Sequence, residues 1–253
     1  MSTLRVLTFN IHTGIGMDGK YNLERIAQTI EAAEVDLVGL QEVENRYRSA
    51  TNFDDQTAWL AERLGWNSIY GPAVVNSPAP GLDQNREFGV ALLSPYRLNN
   101  ERIDVLEPDD RVRADEVRVL LSADLHWETS ASITRMVRAA VTHFDHVEPL
   151  QRLTQAKQTA QILAQEKYPT VLMGDMNSVP SNPEIKALRE QLNDASESWE
   201  KQTGHGVRGS FPATTPIFQI DYVFYRGFSE VAEYKVLTGQ ASDHRAVKVS
   251  LNL

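Results

Sequence analysis

The stretch MVRAAVTHFDHVEPLQRLTQAKQTAQILAQEKYPTVLMGD, residues 136–175, decides how the chain folds. It opens on a β-rich run that ends at His143, and Pro149 then sits where a first helical turn accepts a proline. Leu153, Ala156, Ala160 and Leu163 recur at helical spacing, and TVLMGD returns as an apolar run ending in Asp175. Strand, helix and strand in this order predict a crossover between two parallel strands. The N-terminal region repeats the pattern. Val6 to Phe9 is strand-like and ends at Asn10. Leu23, Ile26, Ala27, Ile30 and Ala33 follow helical spacing behind Asn22 as a cap, and a buried-looking strand from Val35 runs to Glu42. In each copy the polar residues that end the two strands, Asn10 with Glu42 and His143 with Asp175, lie 32 residues apart. Parallel strands present their carboxyl ends on one edge of a sheet, where ligands of α/β folds usually bind, so these four side chains are expected to converge.

Outward from the two units, FGVALLS (88–94), RVLLSADLHW (118–127), IDYVFYR (220–226) and AVKVSLNL (246–253) read as further strands, and the charged run from Glu101 to Arg118 as solvated surface. GIGMDGK (14–20) lacks the spacing of a P-loop and reads as a loop beside Asn10. No Gly/Ser linker or low-complexity tract divides the 253 residues, so one α/β domain over 1–253 is expected, with two sheets and helices outside them.

Composition narrows the function classes. Lys and Arg number 25 against 34 Asp and Glu, a formal charge of −9, which is the wrong sign for duplex binding driven by the surface as a whole. There is no cysteine, so disulfides, thiolate zinc sites, iron–sulfur clusters and cysteine nucleophiles are excluded, and any metal must be held by oxygen and imidazole. With 42% hydrophobic and 23% charged residues the chain can bury a core. The N-terminus has neither the basic region nor the apolar run of a signal peptide, and stretches such as VALL (90–93) fall far short of the roughly 18 residues of a membrane span. A cytoplasmic, monomeric protein is the expectation.

The polar residues fall in an ordered series: LTFN, LQEVE, THFDH, GDMNSVP, IDYVFYR and a terminal SDH each place an acid, amide or imidazole after or within an apolar strand. Taken singly, Asn and Asp at strand ends often only start turns. Together they make the oxygen-rich donor set that a hard cation such as Mg²⁺ favours. At these residues, from Asn10 to His244, the sequence resembles the endonuclease/exonuclease/phosphatase superfamily. The resemblance implies a four-layer α/β sandwich, two central mixed sheets flanked by helices with internal pseudo-symmetry, which would account for the repeated unit.

It also implies a set of roles. Glu42 is the principal Mg²⁺ ligand, with Asn10 and Asp243 completing the metal environment. Asp175 and Asn177 orient the attacking water and meet a second metal if there is one. His244 contacts the phosphate or its nucleophile and belongs to the metal environment, while Asp221 bonds its other ring nitrogen. His143 donates to a phosphate oxygen or assists the leaving group. His12, His126 and His205 have no comparable context, and Asp145 and His146 match the pattern less securely.

The implied activity is Mg²⁺-dependent hydrolysis of a phosphate ester, with Mn²⁺ or another divalent ion as substitutes, by in-line attack of water on phosphorus. An endo- or exonuclease acting on DNA or RNA is the alternative, and an inactive binding module on the same scaffold comes behind both. Lys20, Arg46, Arg48, Arg86, Arg118 and Arg208 are the plausible rim residues; scattered in sequence, they form no basic stripe and could equally clamp one small phosphate, and neither an apolar hairpin nor a basic amphipathic helix marks a lipid surface. A small phosphodiester or phosphomonoester fits the charge best. Long duplex DNA is accordingly expected to bind with a Kd weaker than roughly 1 μM at physiological salt. Fluorescence anisotropy on a labelled duplex checks this, and nanomolar binding would reveal a basic groove.

Overall fold

The computed structural model describes residues 2–114, 116–129 and 133–253. Six strands form one sheet: β1 (Thr3–Asn10), β2 (Leu37–Asn45), β3 (Asn67–Asn76), β4 (Arg86–Ser94), β11 (Glu230–Val236) and β12 (Val247–Asn252). Six form the other: β5 (Arg97–Leu106), β6 (Arg118–Glu128), β7 (Thr134–His143), β8 (Thr170–Asp175), β9 (Asn193–Asp194) and β10 (Asp221–Arg226). The helices are α1 (Leu23–Ala33), α2 (Gln56–Leu64), α3 (Pro149–Ala164), α4 (Pro183–Arg189) and α5 (Ala195–Thr203).

Strand orders β11-β12-β1-β2-β4-β3 and β5-β6-β7-β8-β10-β9 correspond position by position. In each sheet the central pair, β1 with β2 and β7 with β8, is parallel, and every other pairing is antiparallel. The two crossover units read in the sequence are thus the centres of two pseudo-symmetric sheets. Each crossover helix forms for the reasons expected. The Asn22 side chain accepts from the Arg25 N–H and caps α1, whose Leu23, Ile26, Ala27, Ile30 and Ala33 are all buried, and Pro149 stands in the first turn of α3.

Side-chain alternation then builds four layers. Leu4, Val6, Leu37, Val141, Val171, Met173 and Val223 meet in a core between the sheets. Leu7, Phe9, Val38 and Leu40 point the other way onto Ile26, Ile30 and Leu60 of α1 and α2, and Ala140, Leu172 and Phe224 onto Ala156, Leu163 and Leu188 of α3 and α4.

Two expectations need correction. The charged run from Glu101 to Arg118 is not all solvated surface: Glu101 to Val105 lie largely exposed on edge strand β5, but Leu106 ends that strand buried and Arg118 is buried at the start of β6. The equal spacing of the two polar pairs also conceals a difference in register. His143 stands opposite Asp175, but Asn10 stands opposite Gln41, in the register that β1 and β2 keep from Val6 opposite Leu37 onward; Glu42 follows one residue later, at φ 56°, where β2 is irregular against β4 between Leu40 and Val43.

Packing between the sheets leaves no room for a side chain at Gly39, where an added Cβ would lie 2.9 Å from Met173 Cβ and 3.1 Å from Val141 Cγ2. Gly39→Val is expected to lower the free energy of unfolding by about 1–3 kcal/mol through overpacking. Urea denaturation measures it, and an unchanged midpoint would show that the sheets can separate there at no cost.

Candidate functional site

The rows of side chains that fill the space between the sheets end in polar residues at one edge. On β1 the row Leu4, Val6, Thr8 ends in Asn10; on β7, Val137, Ala139, Val141 in His143; on β8, Val171, Met173 in Asp175. β10 runs antiparallel to β8, so its first residue, Asp221, reaches the same edge directly opposite Asp175. Simple alternation would send Glu42 to the helix side with Leu40. The extra residue of the bulge, in the left-handed region, turns its carboxylate into the cleft instead.

All eight sequence-derived residues come together here. Glu42, His143, Asp175, Asn177, Asp243 and His244 line one cleft of about 490 Å³, and Asn10 and Asp221 lie buried and bonded to members of that lining. Asn10 joins the two sheets: its Nδ2 donates to Glu42 Oε1 at 3.0 Å and to Asp175 Oδ2 at 3.1 Å, while its Oδ1 accepts from the His12 N–H at 3.0 Å. Asn177, at φ 48°, closes a turn in which its N–H donates to Asp175 Oδ1 at 2.9 Å. Its Nδ2 donates to Phe144 O at 3.0 Å and lies 3.1 Å from His143 Nε2.

His244 Nδ1 meets Asp221 Oδ2 at 2.9 Å, its Nε2 lies 3.6 Å from Asp175 Oδ2, and Phe211 packs on the ring with centroids 4.7 Å apart. Ser242 ties this last turn to β1 by donating to Asn10 O at 2.7 Å.

Burial and charge tune the two histidines in opposite directions. Burial disfavours the His244 imidazolium, but Asp221, Asp175 and Asp243 together outweigh it and push the ring up to about 10. His143 is held well below its ordinary value by burial and then by Arg118, whose Nη1 lies 3.3 Å from His143 Nδ1. Burial and the facing Asp221 raise Asp175 to about 7.

Sequence reasoning missed His12, Glu44, Tyr47 and Phe88, which also face the cleft, together with Arg48 and Arg118 from the expected rim and His146. The missed four share no common signal, since they come from the turn after β1, the end of β2, the turn after β2 and the start of β4. Asp145 is buried and accepts from the N–H groups of Val147 and Glu148 ahead of α3, a turn-holding role. His126 pairs with Asn99 on β5, and neither it nor exposed His205 belongs to the lining.

The donor set suits a hard divalent cation. Carboxylates dominate one end of the cleft, buried Asp221 Oδ1 has no hydrogen-bond partner, and Asp175, Asp221 and His244 present ligand atoms within 4.8 Å of one another. Without a cation this acidic end would repel a phosphate.

A profile of the endonuclease/exonuclease/phosphatase family matches residues 7–244, from within β1 to His244. The chain belongs to this family. A mannosyl-6-phosphatase of Bacteroides thetaiotaomicron shares its fold, with a TM-score of 0.77 at 20% identity over 99% of this chain and 100% of the other. A family member from Bacteroides vulgatus gives 0.78 at 21% identity over 100% of both chains. The human Nocturnin catalytic domain, with bound sulfate, gives 0.70 at 20% identity over 99% of this chain and 94% of the other.

Asp175 and Asp221 stand opposed and buried, and His244 between them offsets only part of the cost of burying Asp175. Because burial and then Asp221 raise Asp175 from 3.8 to about 7, keeping this carboxyl folded costs stability that builds as pH rises from about 4 and is complete above about 7. Asp175→Asn is therefore expected to stabilise the chelator-treated protein by about 1–3 kcal/mol at pH 8, and by less at pH 5. Denaturant titrations at both pH values check this, and an equal gain at both would assign the effect to something other than charge.

Proposed function

We propose that this protein is a divalent-cation-dependent hydrolase of phosphate esters, acting on small esters in preference to nucleic acid. The observation that carries the reading is the Asn10 bridge, which holds Glu42 of one sheet and Asp175 of the other at a single cleft beside Asp243 and His244. A bound Mg²⁺ or similar ion would neutralise phosphate charge and stabilise the charge that develops during in-line attack. Glu42 and Asp243 are the residues to hold it, with Asn10 fixing the Glu42 carboxylate.

Asp175 is positioned to take a proton from the attacking water and Asn177 to orient that water, the shared turn keeping the two side chains together. Asp221 acts through His244: bonded to Nδ1, it leaves Nε2 to donate to the phosphate and sustains the imidazolium. His143 offers a donor on the other side. The Tyr47–Phe88 pair, with ring centroids 5.8 Å apart, gives the far wall an apolar face for a small organic group. We read residues 1–253 as one domain, since both sheets contribute to the cleft. Nuclease activity is the second reading; it draws on the arginines at this wall, Arg48 and Arg118.

Hydrolysis of p-nitrophenyl phosphate and bis-p-nitrophenyl phosphate with Mg²⁺, Mn²⁺ or EDTA tests the proposal. Glu42→Gln is expected to lower metal-dependent turnover roughly 10³-fold or more with the fold intact by circular dichroism, whereas Asp221→Asn should lower turnover without raising the Mg²⁺ needed for half-activation. Near wild-type turnover by Glu42→Gln at saturating Mg²⁺ would remove Glu42 from the site. A large rise in metal requirement for Asp221→Asn would make Asp221 a ligand.

A further inference from the structure

Three arginines are buried among the described residues, and one lacks what the other two have. Arg138 lies 3.0 Å from Asp124 and Arg152 lies 3.3 Å from Glu184, and both of these acids are themselves buried. Arg118, 3% exposed, has for its acidic partner Glu116 at 3.3 Å, a side chain 36% exposed to solvent. Its terminal nitrogens otherwise face ring nitrogens, His143 Nδ1 at 3.3 Å and His146 Nδ1 at 3.4 Å, and its Nε is buried without a hydrogen-bond partner. A guanidinium does not give up its proton, so a buried one whose acidic partner is a partly exposed glutamate at 3.3 Å is still able to take a better-placed anion.

The side on which that anion can arrive is the cleft, because Arg118 forms its wall together with His143, Asp175, Asn177 and His244. The cleft is charged unevenly: Glu42, Asp175 and Asp243 line it with His244, whereas beyond His143 each acid stands with an arginine, Glu116 with Arg118 and Glu44 with Arg48. A diester phosphate carries one negative charge on two non-bridging oxygens. A monoester dianion carries a second charge and a third such oxygen. In a diester that third position is an uncharged ester oxygen, a weak acceptor that leaves the guanidinium without its counter-charge, whereas a charged oxygen makes the stronger, charge-assisted bond.

We propose that Arg118 receives the third non-bridging oxygen of the substrate, so that this cleft selects phosphate monoesters over diesters. The assignment rests on the phosphoester-hydrolase reading above. It makes Arg118 a specificity-determining residue for that reaction.

The experiment compares kcat/KM for p-nitrophenyl phosphate and bis-p-nitrophenyl phosphate in the Mg²⁺-supplied full chain, for the wild type, Arg118→Met and Arg118→Lys. Wild type is expected to prefer the monoester at least about 10-fold, and Arg118→Met to lose roughly 10²-fold more on the monoester than on the diester, with Arg118→Lys between them. Equal losses on both esters would overturn the proposal and make Arg118 a prop for His143. If Arg118→Met fails to fold, the wild-type preference and Arg118→Lys still decide, and a wild type that favours the diester overturns the proposal while leaving the hydrolase reading standing. Failure to hydrolyse either ester would overturn the hydrolase reading and this inference with it.

Discussion

Two sheets packed face to face force every second side chain of β1, β7, β8 and β10 into the space between them, and the rest of the molecule depends on how those rows end. Within the sandwich the rows are aliphatic. At one edge they become Asn10, His143, Asp175 and Asp221, so the site is the last layer of the core, turned polar where solvent begins. This explains how so many ionisable groups can be buried together. The backbone that carries them is fixed by the packing beneath, and the groups compensate one another: Asn10 between two carboxylates, His244 between two aspartates.

The crossover units, the capped helix behind Asn22 and the strand-end residues Asn10, Glu42, His143 and Asp175 were legible in the sequence, because hydrophobic period and strand-end polarity are local signals, whereas Asn177, Asp221, Asp243 and His244 were assigned through the family resemblance. What was not legible depends on backbone irregularity or distant contact. The 32-residue spacing suggested equivalent pairs, yet Glu42 reaches the cleft only through its left-handed backbone, which no residue-level pattern announces. Arg118 read as the start of a strand and as a rim charge, but not as buried, because its burial comes from β7 and from the loop after it, brought alongside by sheet pairing. The short β9 and the edge strand β11 likewise lacked a period strong enough to stand out from turns.

Electrostatics divide the cleft. His244 is backed by a carboxylate and His143 by a guanidinium, so two imidazoles facing one cavity differ in the charge they carry at neutral pH. A donor that stays neutral and one that stays cationic can be addressed to different oxygens of the same phosphate.

The topology also orders the events of synthesis. The strands of the second sheet, β5 to β10, are contiguous in the chain, whereas the first sheet takes β1 to β4 from before them and β11 and β12 from after. β12 is what pairs with β1, joining Thr3 to Asn252 across nearly the whole chain. A ribosome therefore delivers all the strands of one sheet while the other still lacks two, leaving β1 with an open flank. Asp243 and His244 arrive just ahead of β12, so the nascent chain closes its first sheet and completes its cleft in the same late step.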